Sequence, residues 1–178
     1  MKAVILSLGG SLIIPGQQYV EGDIDVEFLK KFRALVRKHS KDTRFFIITG
    51  GGKTCRKYQA AAKKLVPLSK EELDWIGIHV TRLNAHFVRF LFKGLSWKHI
   101  IGDPEKRVIL GSKDKVIVGA GWEPGWSTDY VAVILGNQVG AKRIINLSNI
   151  DYAYDKDPNK YPDAKKIEKI SWPEYEEL

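Results

Sequence analysis

The stretch RFFIITGGGKTCRKYQAAAKKL, residues 44 to 65, decides the architecture. Its first six residues form a short run rich in Phe and Ile, the length and composition of a buried strand. Three glycines follow at once, and then Cys55, Tyr58, Ala62 and Leu65 recur at helical spacing. Strand, glycine turn and helix thus succeed one another without a linker. KAVILSL (2–8), KVIV (115–118) and RIINLS (143–148) repeat the strand signal. Over residues 25 to 39, Val26, Leu29, Phe32 and Val36 fall on one helical face, with Lys30, Lys31, Arg33 and Arg37 opposite. Ser69-Lys70-Glu71-Glu72 reads as a capping box opening a helix over 70–93, and Ser127 or Thr128 caps another over 129–138. Strands alternating with helices predict an α/β domain on a mainly parallel sheet, without internal repeats or low-complexity linkers. Residues 94 to 116 mix short apolar runs with Lys, Gly and Asp-Pro signals and receive no element.

With 178 residues, the chain is long enough for one domain with a core. Hydrophobic content of 44% and charged content of 28% exclude a disordered or fibrous class. No run approaches the roughly 18 apolar residues of a spanning helix, and the N-terminal apolar run is too short for a secretory signal, so a cytoplasmic protein is expected. Cys55 is the single cysteine and forms no intrachain disulfide; without an export signal the Asn146-Leu147-Ser148 sequon is irrelevant. The net charge of +8 favours anionic partners, nucleotides or nucleic acid, or is simply a basic solvated surface.

Three glycine clusters follow strands: Gly9-Gly10, Gly50-Gly51-Gly52, and Gly119 to Gly125. In a parallel sheet these turns lie at the carboxyl ends of the strands, where ligands bind. Glycine lets backbone N–H groups close on a phosphate, and a helix N-terminus behind it adds partial positive charge. The segment ending in Gly-Lys-Thr is not a Walker A loop, because the position five before Gly52 is Ile47, inside the strand. No G-x-G-x-x-G is present either. Lys53 and Arg56, early in the next helix, either reach a bound phosphate or form a solvated basic face.

In the helix over 70–93, Asp74, Gly77, Thr81 and Asn84 share one face. This polar stripe either meets ligand hydroxyls or is solvated. A glycine inside a helix costs about 1 kcal/mol relative to alanine, so Gly77 either marks close approach of a ligand or another backbone or is simply tolerated on a solvated face. Trp75, His79, Arg82, His86 and Arg89 form a neighbouring stripe read as surface or subunit contact. None of the four histidines neighbours a nucleophile-like Ser or Cys turn, so covalent catalysis is unsupported. The loops instead suit direct phosphoryl transfer between two anionic substrates.

SLGGS (7–11), GGGKTCRKY (50–58), DWIGIHVTRLNA (74–85), GAGWEPGWSTD (119–129) and SNIDYAYDKDP (148–158) together resemble the archaeal-type UMP kinases of the amino acid kinase superfamily. The resemblance implies a three-layer α/β/α sandwich in which residues 1–140 are largely the acceptor lobe and 141–178 begin the ATP lobe. It implies transfer of the ATP γ-phosphate to UMP with magnesium, no metal-ligating residues, and a hexamer built from dimers. Ser7, Leu8, Gly9, Gly10, Ser11, Gly52 and Arg56 would meet the ATP phosphates. Ser148, Asn149, Tyr154 and Asp157 would surround the adenosine. Gly51, Asp74, Thr81 and the loop Gly121, Trp122, Glu123, Pro124, Gly125, Trp126 and Ser127 would hold UMP. Arg56 and Asp129 are the catalytic candidates, Asp129 by orienting basic groups.

Three features depart from the family pattern. Asp151-Tyr152 stands where relatives usually have Asp-Gly. Trp122, Glu123 and Trp126 replace small polar residues and histidines. Family chains also run further than this one, while Ser171-Trp172-Pro173-Glu174 reads as a helix start near its end, so the chain is expected to be a fragment or a shortened member. Isopentenyl phosphate kinases usually carry histidine where this chain has Thr49, which favours a nucleoside monophosphate acceptor. A non-catalytic nucleotide sensor and a kinase for another phosphate or carboxylate acceptor are the alternatives. Nucleic-acid binding is the weakest reading, because no RNA-binding signature interleaves the basic residues with aromatics.

Overall fold

The computed structural model describes residues 1–15, 24–150, 152–158, 160–171 and 173–174. The chain divides into two compact units, Met1–Leu147 and Ser148–Leu178. In the first unit the order is β1 (Lys2–Leu8), α1 (Gly10–Ile13), α2 (Val26–His39), β2 (Thr43–Thr49), α3 (Gly52–Leu65), α4 (Lys70–Leu91), β3 (Ser96–Ile101), β4 (Val116–Gly119), α5 (Thr128–Gln138) and β5 (Ile144–Leu147). The five strands form one sheet in the order β3-β4-β2-β1-β5, and every pairing in it is parallel.

Strand side chains alternate between faces, and the alternation divides the core in two. Leu6, Leu8, Phe45, Ile47, Val116 and Val118 pack with Leu29, Phe32 and Val36 of α2 and Ala85 and Val88 of α4. Ile5, Phe46, Ile48 and Ile117 pack with Val131, Ala132 and Leu135 of α5. The first unit is thus a three-layer α/β/α sandwich. It matches the expected fold class, and the glycine clusters end β1, β2 and β4 on the same edge of the sheet.

Local capping fixes the helix starts. The Asp25 side chain accepts the Phe28 N–H at 2.8 Å, and Ser127 accepts that of Tyr130 at 3.1 Å. Ser69 and Glu72 close a full capping box at α4. Val26, expected on the buried face of α2, is exposed because it sits in the first turn, outside the packed stripe. The apolar face expected on α3 is also corrected: none of its residues is fully buried, and Tyr58 and Leu65 are 63% and 81% exposed. Helix α3 packs beside α4 rather than on the sheet. The unassigned stretch 94–116 contributes β3, an edge strand whose Lys98 and His99 are exposed. No described helix is long and apolar enough to cross a membrane.

The second unit contains a two-stranded antiparallel pair, β6 (Ala153–Tyr154) and β7 (Lys166–Ile167). Lys156 pairs with Asp163 at 2.6 Å, and the Lys166 ammonium lies 3.5 Å from the Tyr152 ring centroid. Asp151, part of the departure noted at 151–152, lies outside the described residues, as does Trp172 of the expected helix start. At that start the Glu174 carboxylate accepts the Ser171 N–H at 2.9 Å, one half of a capping box.

Candidate active site

The glycine turns after β1 and β2 are in backbone contact. A Cβ on Gly10 would collide with the Gly52 nitrogen and lie 2.6 Å from the Gly50 oxygen and the Gly51 carbonyl carbon. Gly52, at φ +60°, would in turn drive a Cβ to 2.5 Å from the Gly10 carbonyl carbon. Both positions therefore require glycine, one for space and the other for space and a left-handed backbone. The two turns form one continuous backbone surface at the edge of the sheet, with α3 starting at Gly52 and presenting Lys53 and the exposed Arg56 early in its length.

Asp129 enters this edge from the first turn of α5. Strand parity puts Ser7 on the α5 side of β1, and its hydroxyl donates to Asp129 Oδ1 at 2.6 Å. Asn146 Nδ2, on β5, lies 3.4 Å from the same oxygen. Ser7 is buried, so this bond couples the end of β1 to the start of α5.

The polar stripe of α4 lies along the glycine turns and stitches them together. Asn84 Nδ2 donates to the Gly50 carbonyl at 2.8 Å. Thr81 Oγ1 accepts the Gly121 N–H at 2.8 Å and donates to the Ile78 carbonyl, while Thr49 Oγ1 donates to the Thr81 carbonyl at 3.0 Å. Asp74 Oδ2 accepts the Gly125 N–H at 2.8 Å. Thr81 and Asn84 are buried, so these two hold the loops from behind. The close approach at Gly77 comes from side chains of α3: a Cβ there would lie 3.2 Å from Cys55 Sγ and 3.4 Å from Gln59 Nε2. Burial pushes the Cys55 thiol upward in pKa, against the lowering effect of Arg56.

The 121–127 loop differs from the turns. Gly125 adopts φ +89° with open space around it. Trp122 packs against the α5-side core, and Trp126 stacks between Trp122, at 6.3 Å, and Tyr130, at 4.3 Å. The two indoles therefore pack the loop onto the protein. Beside the loop, Lys70, Glu71, Asp74, Trp75, Glu123, Pro124 and Gly125 line an open cavity of about 640 Å³.

Of the residues singled out from sequence in the first unit, Ser7, Gly10, Gly51, Gly52, Asp74, Thr81, Gly121 to Ser127 and Asp129 gather along this carboxyl edge and the adjoining α4. Ser148, Asn149, Tyr154 and Asp157 belong to the second unit. Sequence reasoning missed Lys70, Glu71 and Trp75 as cavity walls and Asn146 as a neighbour of Asp129. The first two could have been found one helical turn before Asp74 on α4. Asn146 carried no such signal, because its position depends on β5 pairing with β1.

An open parallel sheet with glycine turns in contact at its carboxyl edge defines an α/β protein built to hold phosphate-bearing ligands. The family model described as the amino acid kinase family matches residues 2–178, and the chain belongs to that family. It is similar to the uridylate kinase of Thermoplasma volcanium, 38% identical over 174 residues, spanning 97% of this chain and 72% of that protein. The uridylate kinase of Thermococcus sibiricus is 32% identical over 168 residues, spanning 94% and 72%. The crystal structure of uridylate kinase from Archaeoglobus fulgidus superposes with a TM-score of 0.79 at 29% identity, covering 100% of this chain and 78% of that one.

Proposed function

We propose that the chain is a phosphotransferase that moves the γ-phosphoryl group of ATP to UMP, giving ADP and UDP in pyrimidine nucleotide synthesis. The observation that carries this reading is the backbone contact between the turns at Gly10 and Gly52, which brings two phosphate-cradling turns into one surface. The uridylate kinase relatives support the choice of acceptor. In the reaction, an oxygen of the UMP phosphate forms a bond to the γ-phosphorus while the bond to the β–γ bridging oxygen breaks, and ADP leaves with that electron pair. Little covalent chemistry falls to the protein, so positioning and charge neutralisation dominate.

Ser7 to Ser11, Gly52 and Arg56 hold the donor phosphates in this reading, while Gly51, Asp74 and the 121–127 loop hold the acceptor. Thr81 positions the loop through the Gly121 N–H. Asp129 fixes the catalytic end through Ser7. For the second unit, adenosine binding by Ser148, Asn149, Tyr154 and Asp157 is proposed. ATP enters as its magnesium complex. Among the described residues no three His, Cys, Asp or Glu side chains form a metal cluster, and magnesium in such reactions is carried largely by the substrate phosphates. A homo-oligomeric, cytoplasmic enzyme completes the reading.

A coupled assay with ATP, magnesium and UMP tests it. ADP released only when UMP is present supports the proposal. UMP binding without ADP release would instead support a nucleotide sensor.

A further inference from the structure

Three side chains of α4 hold the loops at the carboxyl edge, and they do not all take the same group. Thr81 Oγ1 accepts the Gly121 N–H and Asp74 Oδ2 accepts the Gly125 N–H, both at 2.8 Å. Asn84 instead donates through Nδ2 to the Gly50 carbonyl, also at 2.8 Å. A carbonyl only accepts, so the nitrogen of the Asn84 amide must face it. The helix thus consumes N–H groups at the β4 loop and a carbonyl at the β2 turn.

The consequence lies in the Gly50–Gly51 peptide. In a trans peptide the C=O and N–H point in opposite directions. Anchoring the Gly50 carbonyl on the buried Asn84 therefore turns the Gly51 N–H away from the core. Gly50 is pinned on its other side as well, where its N–H donates to the Leu8 carbonyl at 2.9 Å. The Gly51 N–H has no backbone acceptor among the described residues. It stands just before the orphan N–H groups that open α3, a helix of 14 residues. Between two glycines such a peptide turns over at little steric cost, so one orientation is kept only by a specific partner. Asn84 is that partner.

We propose that Asn84 is a positioning residue: it locks the Gly50–Gly51 peptide with its N–H outward, and that N–H, rather than those of Gly121 or Gly125, receives the acceptor phosphate. The inference rests on the phosphoryl-transfer reading above. Without Asn84 the peptide turns over and sets a carbonyl oxygen against the phosphate.

The test compares the native chain with Asn84→Leu, which removes the donor, and Asn84→Asp, whose carboxylate only accepts and draws the Gly51 N–H inward. Circular dichroism checks that each variant is folded at the assay temperature. In Asn84→Leu, kcat/KM for UMP is expected to fall about 100-fold, the scale of losing one preorganised donor. It falls further in Asn84→Asp, while KM for ATP is unchanged in both. In NMR titrations UMP moves the Gly51 amide signal of the native chain and leaves that of the variants in place. Equal losses for UMP and ATP would make Asn84 merely structural and overturn the inference, as would native-like UMP turnover in Asn84→Leu. Should neither variant fold, the native titration decides: a Gly51 amide unmoved by UMP in a chain that turns UMP over overturns the inference and leaves the kinase reading standing. A native chain that neither binds nor turns over UMP overturns both.

Discussion

At the turns of residues 9–10 and 50–52 backbone lies against backbone, whereas the 121–127 loop is held by side chains reaching across from α4. The first arrangement leaves no room for a methyl group. The second has open space around Gly125 and a partly exposed Trp126 ring. The contrast suits the two tasks of a phosphotransferase. On the proposed reading, phosphate, which is chemically constant, is met by peptide N–H groups of the turns, while the acceptor varies and is met by replaceable side chains. It also explains why the loop, rather than the turns, carries Trp122, Glu123 and Trp126.

The strongest attempt to break this contrast is Gly10→Ala. The added methyl meets only main-chain atoms of 50–52, so the two turns must separate. A shift of about 1 Å at the phosphates costs on the order of 100-fold in kcat/KM, together with about 1–3 kcal/mol of stability from overpacking. Steady-state kinetics and denaturant titration would show both. Arg56→Ala probes the same end without touching the backbone. Loss of a charge-assisted contact of about 1.5–3 kcal/mol should lower ATP-dependent kcat/KM while the melting temperature stays constant, because Arg56 is exposed. Unchanged kinetics would make Arg56 a solvated residue.

At the loop end, Thr81→Val leaves the Gly121 N–H without its acceptor in a buried setting. A stability loss of about 1–3 kcal/mol in urea is expected. Asp74→Ala should raise KM for the acceptor more than for ATP, by about tenfold. An equal rise for both substrates would abolish the distinction between the two ends.

The smallest effect lies in the α4 capping box. Hydrogen bonds from the Ser69 backbone and then its side chain hold the Glu72 pKa below the ordinary glutamate value. A depressed folded-state pKa gives stability that is present above the unfolded value and is lost as pH falls through the folded one. Glu72→Gln should remove that acid-side change, measured by NMR titration and by melting temperature against pH.

Much of the fold was legible because its signals are local. The strand runs at 2–8 and 44–49, the capping box at 69–72 and the α5 start near Ser127 depend on residues a few positions apart. Strand β3 was not legible, because an edge strand with exposed Lys98 and His99 lacks the apolar run of a central one. The α3 face misled for the opposite reason: its spacing is helical and amphipathic, yet its neighbour is another helix and its apolar residues stay partly in water. In the site, the glycine clusters and the α4 stripe announced themselves, but the roles of Thr81 and Asn84 did not.

The sequence by itself determined the alternation of strand, glycine turn and helix, the helix caps, and the glycine turns that end β1, β2 and β4, since period and turn chemistry are properties of short segments. Only the tertiary structure decided that Gly10 lies against Gly52, that Ser7 bonds Asp129 across 122 residues, and that the α4 polar stripe is largely consumed in holding loops. Those contacts join distant segments, and their partners are fixed by sheet order and strand parity, which no local pattern encodes.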